Sequence, residues 1–276
     1  MKFAVLGDPI EHSKSPAIHN AAYRALNLDW EYDRHRVNAS ELAAFLDQHL
    51  GDYQGFSLTM PLKEELFRIA GERGWQVDAT SEALGCSNTL YRIGDSFGVA
   101  NTDVLGARHA LNHLTDSVES VAILGSGATA RSVSVAIATS FTRLAEITVF
   151  SRRSEPAEAI FELISGISPR VKCSWLPLEA AADFGGADLT VNTIPASAGV
   201  ELEIDRKFGQ SWIFDVTYSP WPTQLASEWP AENRVSGLEM LVQQAIEQLG
   251  LFGAVQQELA PNDREKLATA MRSAAE

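Results

Sequence analysis

Val121-Ala122-Ile123-Leu124-Gly125-Ser126-Gly127-Ala128-Thr129-Ala130 is the stretch on which the fold turns. Its four apolar residues, half of them β-branched, read as a strand buried on both faces. The next six fit GxGxxA and lead into a helical repeat over residues 130–141. Strand, glycine turn and helix in that order make a dinucleotide-binding unit. The glycines permit a sharp turn and close backbone approach, and a pyrophosphate meets the free amides and positive dipole of the helix. A tight turn without a ligand would also use glycine, but the flanking strand and helix favour the binding turn.

The following strand, expected over residues 146–150, bears on which dinucleotide. In Rossmann-type domains that take NAD a carboxylate stands at its end, on the ribose 2′-hydroxyl. Here Ser151-Arg152-Arg153 follows, a hydroxyl and two guanidiniums suited to a 2′-phosphate and an adenine face, so NADP is expected over NAD. Solvated surface arginines are the competing explanation. In a chain of net charge −14 an adjacent arginine pair at this position favours an anion site.

Outward from this unit, short β-rich runs alternate with helical patterns, the mark of βαβ units and parallel sheets. At 276 residues the chain has room for about two domains of roughly 150 residues each. The expected class is α/β. An N-terminal α/β substrate domain takes residues 1–104, completed by C-terminal helices over 238–276, and a Rossmann-type doubly wound dinucleotide-binding domain takes 105–237. Strands are expected at 2–6, 30–37 and 54–59, with Ser15 as N-cap of a helix that has Pro16 in its first turn. Pro61 has no amide hydrogen for a ladder, so the third strand stops there and Lys63 falls in the first turn of a helix. A turn at Gly94-Asp95 returns the chain into Asn101-Thr102-Asp103, and Asp103 opens a helix. A long helix from about residue 238 and an acidic amphipathic tail close the chain.

Composition narrows the function. An apolar fraction of 45% and a charged fraction of 21% are ordinary for globular proteins. Acids outnumber bases 36 to 22, a field that disfavours nucleic acid and anionic membranes. No apolar run approaches the ~18 residues of a membrane span, and the apolar stretch at 3–6 is shorter than the ~7–15 residues of a signal peptide core. Cys86 and Cys173 form no CxxC pair and are expected as reduced thiols, so a cytoplasmic protein is expected. His109 and His113 stand at i, i+4 without the glutamate of HExxH, and no metal is expected.

Gly7-Asp8-Pro9-Ile10-Glu11-His12-Ser13-Lys14-Ser15-Pro16 resembles the GxPIxHSxSP signature that opens shikimate dehydrogenases. Ser57-Leu58-Thr59-Met60-Pro61-Leu62-Lys63 is similar to their NVTVPFK segment, Asn88-Thr89-Leu90 to VNTL and Asn101-Thr102-Asp103 to NTD. The glycine loop, Ser151-Arg152-Arg153, Asn192, Asp215-Val216-Thr217-Tyr218 and the segment 237–244 follow in order, so the likeness spans nearly the whole chain. Departures stand at Ser57, Ser87, Ala100, Ile194-Pro195 and Glu239, and none removes a catalytic group.

The resemblance implies NADPH-dependent, reversible reduction of 3-dehydroshikimate to shikimate, a step toward chorismate and the aromatic amino acids. Hydride attack on a ketone makes an alkoxide, so a placed acid must protonate it, and Lys63 is the candidate. The family likeness implies Asp103 beside it, on both the ammonium and a substrate hydroxyl. It further implies Ser13, Ser15, Thr59, Asn88, Tyr218 and Gln244 as substrate-binding residues. The cofactor residues it implies are Gly125, Ser126, Gly127, Ala128, Thr129, Ala130, Ser151, Arg152 and Arg153, with Val216, Gly237 and Met240 at the nicotinamide. Ser15 can both open the helix and bind substrate only if its backbone, not its side chain, meets the helix. A broader quinate or NAD enzyme, or a catalytically silent dinucleotide-binding regulator, remain the alternatives, as do monomer and homodimer.

Overall fold

The computed structural model describes residues 1–182, 186–195, 211–255 and 259–275. Two compact units emerge, Met1–Gly106 with Leu241–Glu276, and Ala107–Met240. The first unit contains, in chain order, β1 (Lys2–Gly7), α1 (Ser15–Ala25), β2 (Glu31–Arg36), α2 (Leu42–His49), β3 (Gly55–Leu58), α3 (Lys63–Arg73), β4 (Gln76–Val77), α4 (Ala79–Leu84), β5 (Thr89–Ile93), β6 (Ser96–Ala100) and the start of α5 (Asp103–Ala110). The second contains β7 (Ser120–Leu124), α6 (Ala128–Ser140), β8 (Glu146–Ser151), α7 (Glu155–Ile167), β9 (Lys172–Pro177), β10 (Leu189–Asn192), β11 (Trp212–Asp215) and β12 (Arg234–Ser236). Helix α8 (Gly237–Leu251) crosses the division between Met240 and Leu241, and α9 (Pro261–Ala275) returns to the first unit.

The first sheet has the order β2-β1-β3-β5-β6-β4 and is mixed rather than parallel throughout. β1 runs parallel to β2 and β3, whereas β5 pairs antiparallel with both β3 and β6. The cause is local: the turn at Gly94 (φ +56°) is too short for a crossover, so β5 and β6 must form a hairpin. Alternation along β1 feeds two layers. Ala4 and Leu6 join Phe56 and Leu58 against Leu42, Leu46, Leu62 and Leu66 of the α2–α3 side. Phe3 faces the other way, onto the rings of Tyr23, Trp30 and Phe252. The terminal helix α9 packs on α1, burying Leu267 and Met271, and the Lys14 ammonium donates to the Ala275 carbonyl at its end.

The second sheet, β12-β11-β10-β7-β8-β9, is parallel throughout. Read from β9 this is the doubly wound order 3-2-1-4-5-6, whose reversal lies between β7 and β10. Ligands of such sheets bind at the carboxyl ends of the strands at that reversal. The glycine turn leaves β7 there. Its helix begins at Ala128, two residues earlier than the apolar periodicity indicates, because small residues at 128–130 carry little pattern.

Candidate active site

β3 ends at Leu58, and the Thr59 carbonyl accepts from the Leu62 N–H at 2.8 Å, turning the chain through Pro61 directly into α3. Lys63 is the first residue of that helix, and its carbonyl accepts from the Ser87 N–H at 2.9 Å. Across the end of the sheet Asp103 opens α5, where a carboxylate suits the positive end of the helix dipole. Asn101 Oδ1 accepts the Asp103 N–H at 3.0 Å. The two side chains meet: Lys63 Nζ donates to Asp103 Oδ2 at 2.5 Å, with 14% and 7% of the side chains exposed. The other carboxylate oxygen, Oδ1, accepts from Asn88 Nδ2 at 2.9 Å. Near-burial shields the pair from salt.

Register explains the meeting. Leu6 pairs with Leu58, Ser57 with Thr89 and Thr89 with Ala100, so the loop after β1, Thr59, Asn88 and the Asn101-Thr102-Asp103 turn share one end of the first sheet. Gln244 of α8 joins them, its Oε1 accepting from Thr102 Oγ1 at 3.1 Å and from Asn88 Nδ2 at 3.4 Å. Asn88 is buried with its amide fully engaged: Oδ1 accepts from the Thr102 N–H at 2.9 Å and from Thr89 Oγ1 at 2.8 Å. Through Nδ2, Asn88 thus also holds the Asp103 carboxylate.

The helix start at Ser15 differs from the expectation. Ser15 is the first residue of α1, Lys14 occupies the N-cap, and no side chain caps the helix. Instead Ser13 Oγ accepts the Ser15 N–H at 3.3 Å. The Ser15 carbonyl accepts from His19 Nδ1 at 3.0 Å, a contact that makes Nδ1 the protonated nitrogen; burial lowers the His19 pKa to about 4. Backbone alone thus meets the helix. The Ser15 and Thr59 hydroxyls have no partner among the described residues, and the Ser13 hydroxyl proton is free to donate.

In the second unit Gly125 has φ +101°, and a Cβ there would lie 2.5 Å from Thr193 Oγ1 at the end of β10. Only glycine fits both restraints. A Cβ at Gly127 would meet nothing within 4 Å, so the space above this N-cap is open, and no side chain caps α6. Ala130 is fully buried, letting α6 lie close on the sheet. Ser126, Ala128 and Thr129 line the turn. Glycine, open approach and uncapped amides fit a pyrophosphate. Arg152 and Arg153 are exposed, with no ion pair among the described residues. Ser151 lies buried in β8, accepts from Trp175 Nε1 at 3.0 Å and donates to the Arg153 carbonyl at 2.6 Å. Its proton shapes the turn that presents the arginines.

Val216 and Tyr218 follow β11, where Asp215 anchors the segment: Oδ1 accepts from Asn192 Nδ2 at 3.1 Å and from the Thr217 N–H at 3.0 Å, and Oδ2 from Thr223 Oγ1 at 2.6 Å. Gly237 presses on this segment, and Met240 is buried. Tyr218, expected with the substrate residues, thus belongs to the second unit, apart in sequence from Lys63 and Asp103. Residue types alone did not single out Thr102, Thr193 or Asp215. Thr193 and Asp215 stand at strand ends, which is the signal that could have found them.

A doubly wound unit with an open glycine turn, in one chain with a buried lysine–aspartate pair, has the make-up of a dinucleotide-dependent dehydrogenase. The family profile of the shikimate dehydrogenase substrate binding domain matches residues 5–90. A shikimate dehydrogenase (NADP(+)) of Methanosarcina acetivorans is 33% identical, over 92% of this chain and 93% of its own. The crystal structure of Mycobacterium tuberculosis shikimate dehydrogenase superposes with a TM-score of 0.79 at 33% identity, covering 99% of this chain and 98% of the other. The Thermus thermophilus shikimate 5-dehydrogenase, solved in complex with NADP(H) and shikimate, gives 0.77 at 26% identity, with 99% of each chain covered. The chain belongs to the shikimate dehydrogenase family.

Proposed function

We propose that this chain catalyses the reversible, NADPH-dependent reduction of 3-dehydroshikimate to shikimate, on the way to chorismate and the aromatic amino acids. The observation that carries the reading is the Lys63–Asp103 pair, fixed by Asn88 at the sheet end that also bears the hydroxyls of Ser13, Ser15 and Thr59. NADPH, when bound, supplies a hydride to the ring ketone. Lys63 then donates a proton from Nζ to the former carbonyl oxygen. A carboxylate offers about four acceptor sites, so Asp103 can hold the ammonium and the Asn88 amide and still accept from a ring hydroxyl. Ser13 and Ser15 donate to the substrate carboxylate, and Thr59 and Gln244 to ring oxygens. Lys14, between the two serines, is turned away onto the Ala275 carbonyl, so neutral donors do this work. Asn88 and Tyr218 complete the set of substrate-binding residues, and the substrate domain is residues 1–104 with 238–276.

The amides of 127–130 hold the pyrophosphate, Val216, Gly237 and Met240 line the nicotinamide, and Arg152 and Arg153 take the 2′-phosphate. Arg152→Ala should weaken NADP+ binding roughly 10- to 100-fold, the worth of one or two charge-assisted hydrogen bonds, while leaving NAD+ affinity unchanged. Titration with both dinucleotides checks this; equal weakening of the two would place the damage in the fold. Free thiols at Cys86 and Cys173 fit a reducing cytoplasm, and the reaction needs no second chain, so a monomer or a homodimer serves it.

Purified protein mixed with shikimate or quinate, each with NADP+ or NAD+, tests the whole reading. Reduced nicotinamide should form fastest with shikimate and NADP+. A faster quinate or NAD+ arm would broaden the assignment, and silence in all four would leave a dinucleotide-binding regulator.

A further inference from the structure

A line of polar side chains leads to Asn88 and Asp103 through four residues that the reaction above does not use, Tyr32, Ser57, Gln248 and Thr89. The Tyr32 hydroxyl on β2 donates to Ser57 Oγ on β3 at 2.6 Å, and Ser57 Oγ donates to Gln248 Oε1 on α8 at 2.9 Å. Gln248 Nε2 donates to Thr89 Oγ1 at 2.9 Å, Thr89 Oγ1 to Asn88 Oδ1 at 2.8 Å, and Asn88 Nδ2 to Asp103 Oδ1 at 2.9 Å. All six residues are buried, Gln248 to 1% exposure.

Each link sets the direction of the next. Asn88 must turn Nδ2 toward Asp103, because the opposite flip would set its oxygen against a carboxylate. That orientation needs donors at Asn88 Oδ1, and the Thr89 hydroxyl is one of them. A threonine proton can rotate freely; this one points at Asn88 because the Gln248 amide occupies its acceptor side. Gln248 is held in turn with its oxygen toward Ser57, whose own acceptor side is taken by the Tyr32 phenol. A fully satisfied network of this kind fixes one arrangement of a buried site.

We infer that Gln248 is a positioning residue for the proposed reduction: through Thr89 and Asn88 its amide holds the Asp103 carboxylate, and with it the Lys63 ammonium, in a single proton-donating arrangement. The inference rests on the reaction proposed above for what the arrangement is for, and on the hydrogen bonds alone for its existence. Burial pushes the Tyr32 phenol well above its usual range, and the ring stacked on it at 3.9 Å is His19, whose pKa burial brings down to about 4, so both are neutral under working conditions.

Gln248→Met keeps the length and apolar stem of the side chain and removes the amide. With 3-dehydroshikimate and NADPH, kcat should fall roughly five- to tenfold, as for one lost hydrogen bond read out in the transition state, with both KM values nearly unchanged. In an Asn88→Ala background the same change should add nothing, because its route is already cut. Losses that multiply in the double variant, or a lowered Tm with kcat intact, would show a purely structural role and overturn the inference. Tyr32→Phe keeps the ring and removes the first donor; it should lower kcat in the same direction by a smaller factor, and it decides the question if Gln248→Met does not fold. A readout without turnover separates this inference from the reaction. The Asn88 side-chain amide resonance, identified by its loss in Asn88→Ala, should shift in Gln248→Met. A shift in a protein that reduces no 3-dehydroshikimate would sink the reaction and keep the ordering, whereas an unmoved resonance would sink the ordering even in an active enzyme.

Discussion

Lys63→Ala is expected to lower turnover by about 10²–10⁴, the range for losing a positioned general acid, while NADP+ binds with unchanged affinity. The separation follows from geometry. Lys63 sits at the start of α3 in the first unit, and every residue assigned to the cofactor lies in the second. The lost ammonium also leaves Asp103 buried with only Asn88 and the helix start to balance its charge. Breaking a buried pair in this way costs on the order of 3–5 kcal/mol, so the variant should melt earlier as well. Steady-state rates must therefore be taken well below its Tm. A small primary amine added to Lys63→Ala should recover part of the rate, because the space vacated by the side chain admits a free ammonium to the same carboxylate. A variant with wild-type turnover would remove Lys63 from the chemistry. A slow variant that amines do not restore would leave it as a structural anchor for Asp103.

The parts of this site that were legible in the sequence are those governed by one local rule. Pro61 cannot extend a strand, so Lys63 had to begin a helix, and it does so as the first residue. Gly125 and Gly127 between an apolar strand and a helix pattern give a turn whose form depends on no distant residue. What was hidden depends on partners far apart in sequence. The antiparallel β5–β6 hairpin inside the first sheet follows from a short connection, yet its pairing with β3 rests on register that alternation does not specify. Ser13, rather than Ser15, receives the first helix amide because the loop curls back on itself, a choice between two serines that composition cannot make. Ser57 reads only as a departure from the family pattern, and Gln248 only as a polar residue four after Gln244. Their meaning comes from Tyr32 and Thr89, contributed by other strands. Gln244 and Gln248, one helical turn apart on α8, were the one available signal, since a buried amide must find partners.

Gly237→Ala should abolish measurable NADP+ binding and destabilise the second unit, although alanine is otherwise a better helix former at the start of α8. A Cβ at Gly237 would lie 2.0 Å from the Val216 carbonyl oxygen and 2.3 Å from its carbon, and these are backbone atoms with no freedom to turn aside. Nor can Val216 retreat. Its N–H donates to the Asn192 carbonyl at 3.0 Å, and the next residue is tied by its own N–H to Asp215 Oδ1 at 3.0 Å. Since Asp215 also pairs with Ser236 across β11 and β12, the methyl group must force apart the strand junction itself. Overpacking of this kind costs about 1–3 kcal/mol or more, and here it displaces both Val216 and Gly237, the residues proposed for the nicotinamide. Gly127→Ala is the control with the opposite balance. Its Cβ meets nothing within 4 Å and its φ of −82° suits alanine, so the fold should lose no more than about 1 kcal/mol, the usual difference at an N-cap. The methyl nonetheless stands where a pyrophosphate would approach, and NADP+ affinity should fall while Tm stays near the wild-type value. Calorimetric melting together with dinucleotide titration on the two variants gives the comparison. Gly127→Ala binding NADP+ like the wild type would mean that the turn does not hold the phosphates, and a stable, cofactor-competent Gly237→Ala would mean that the crowding at Val216 yields at little cost.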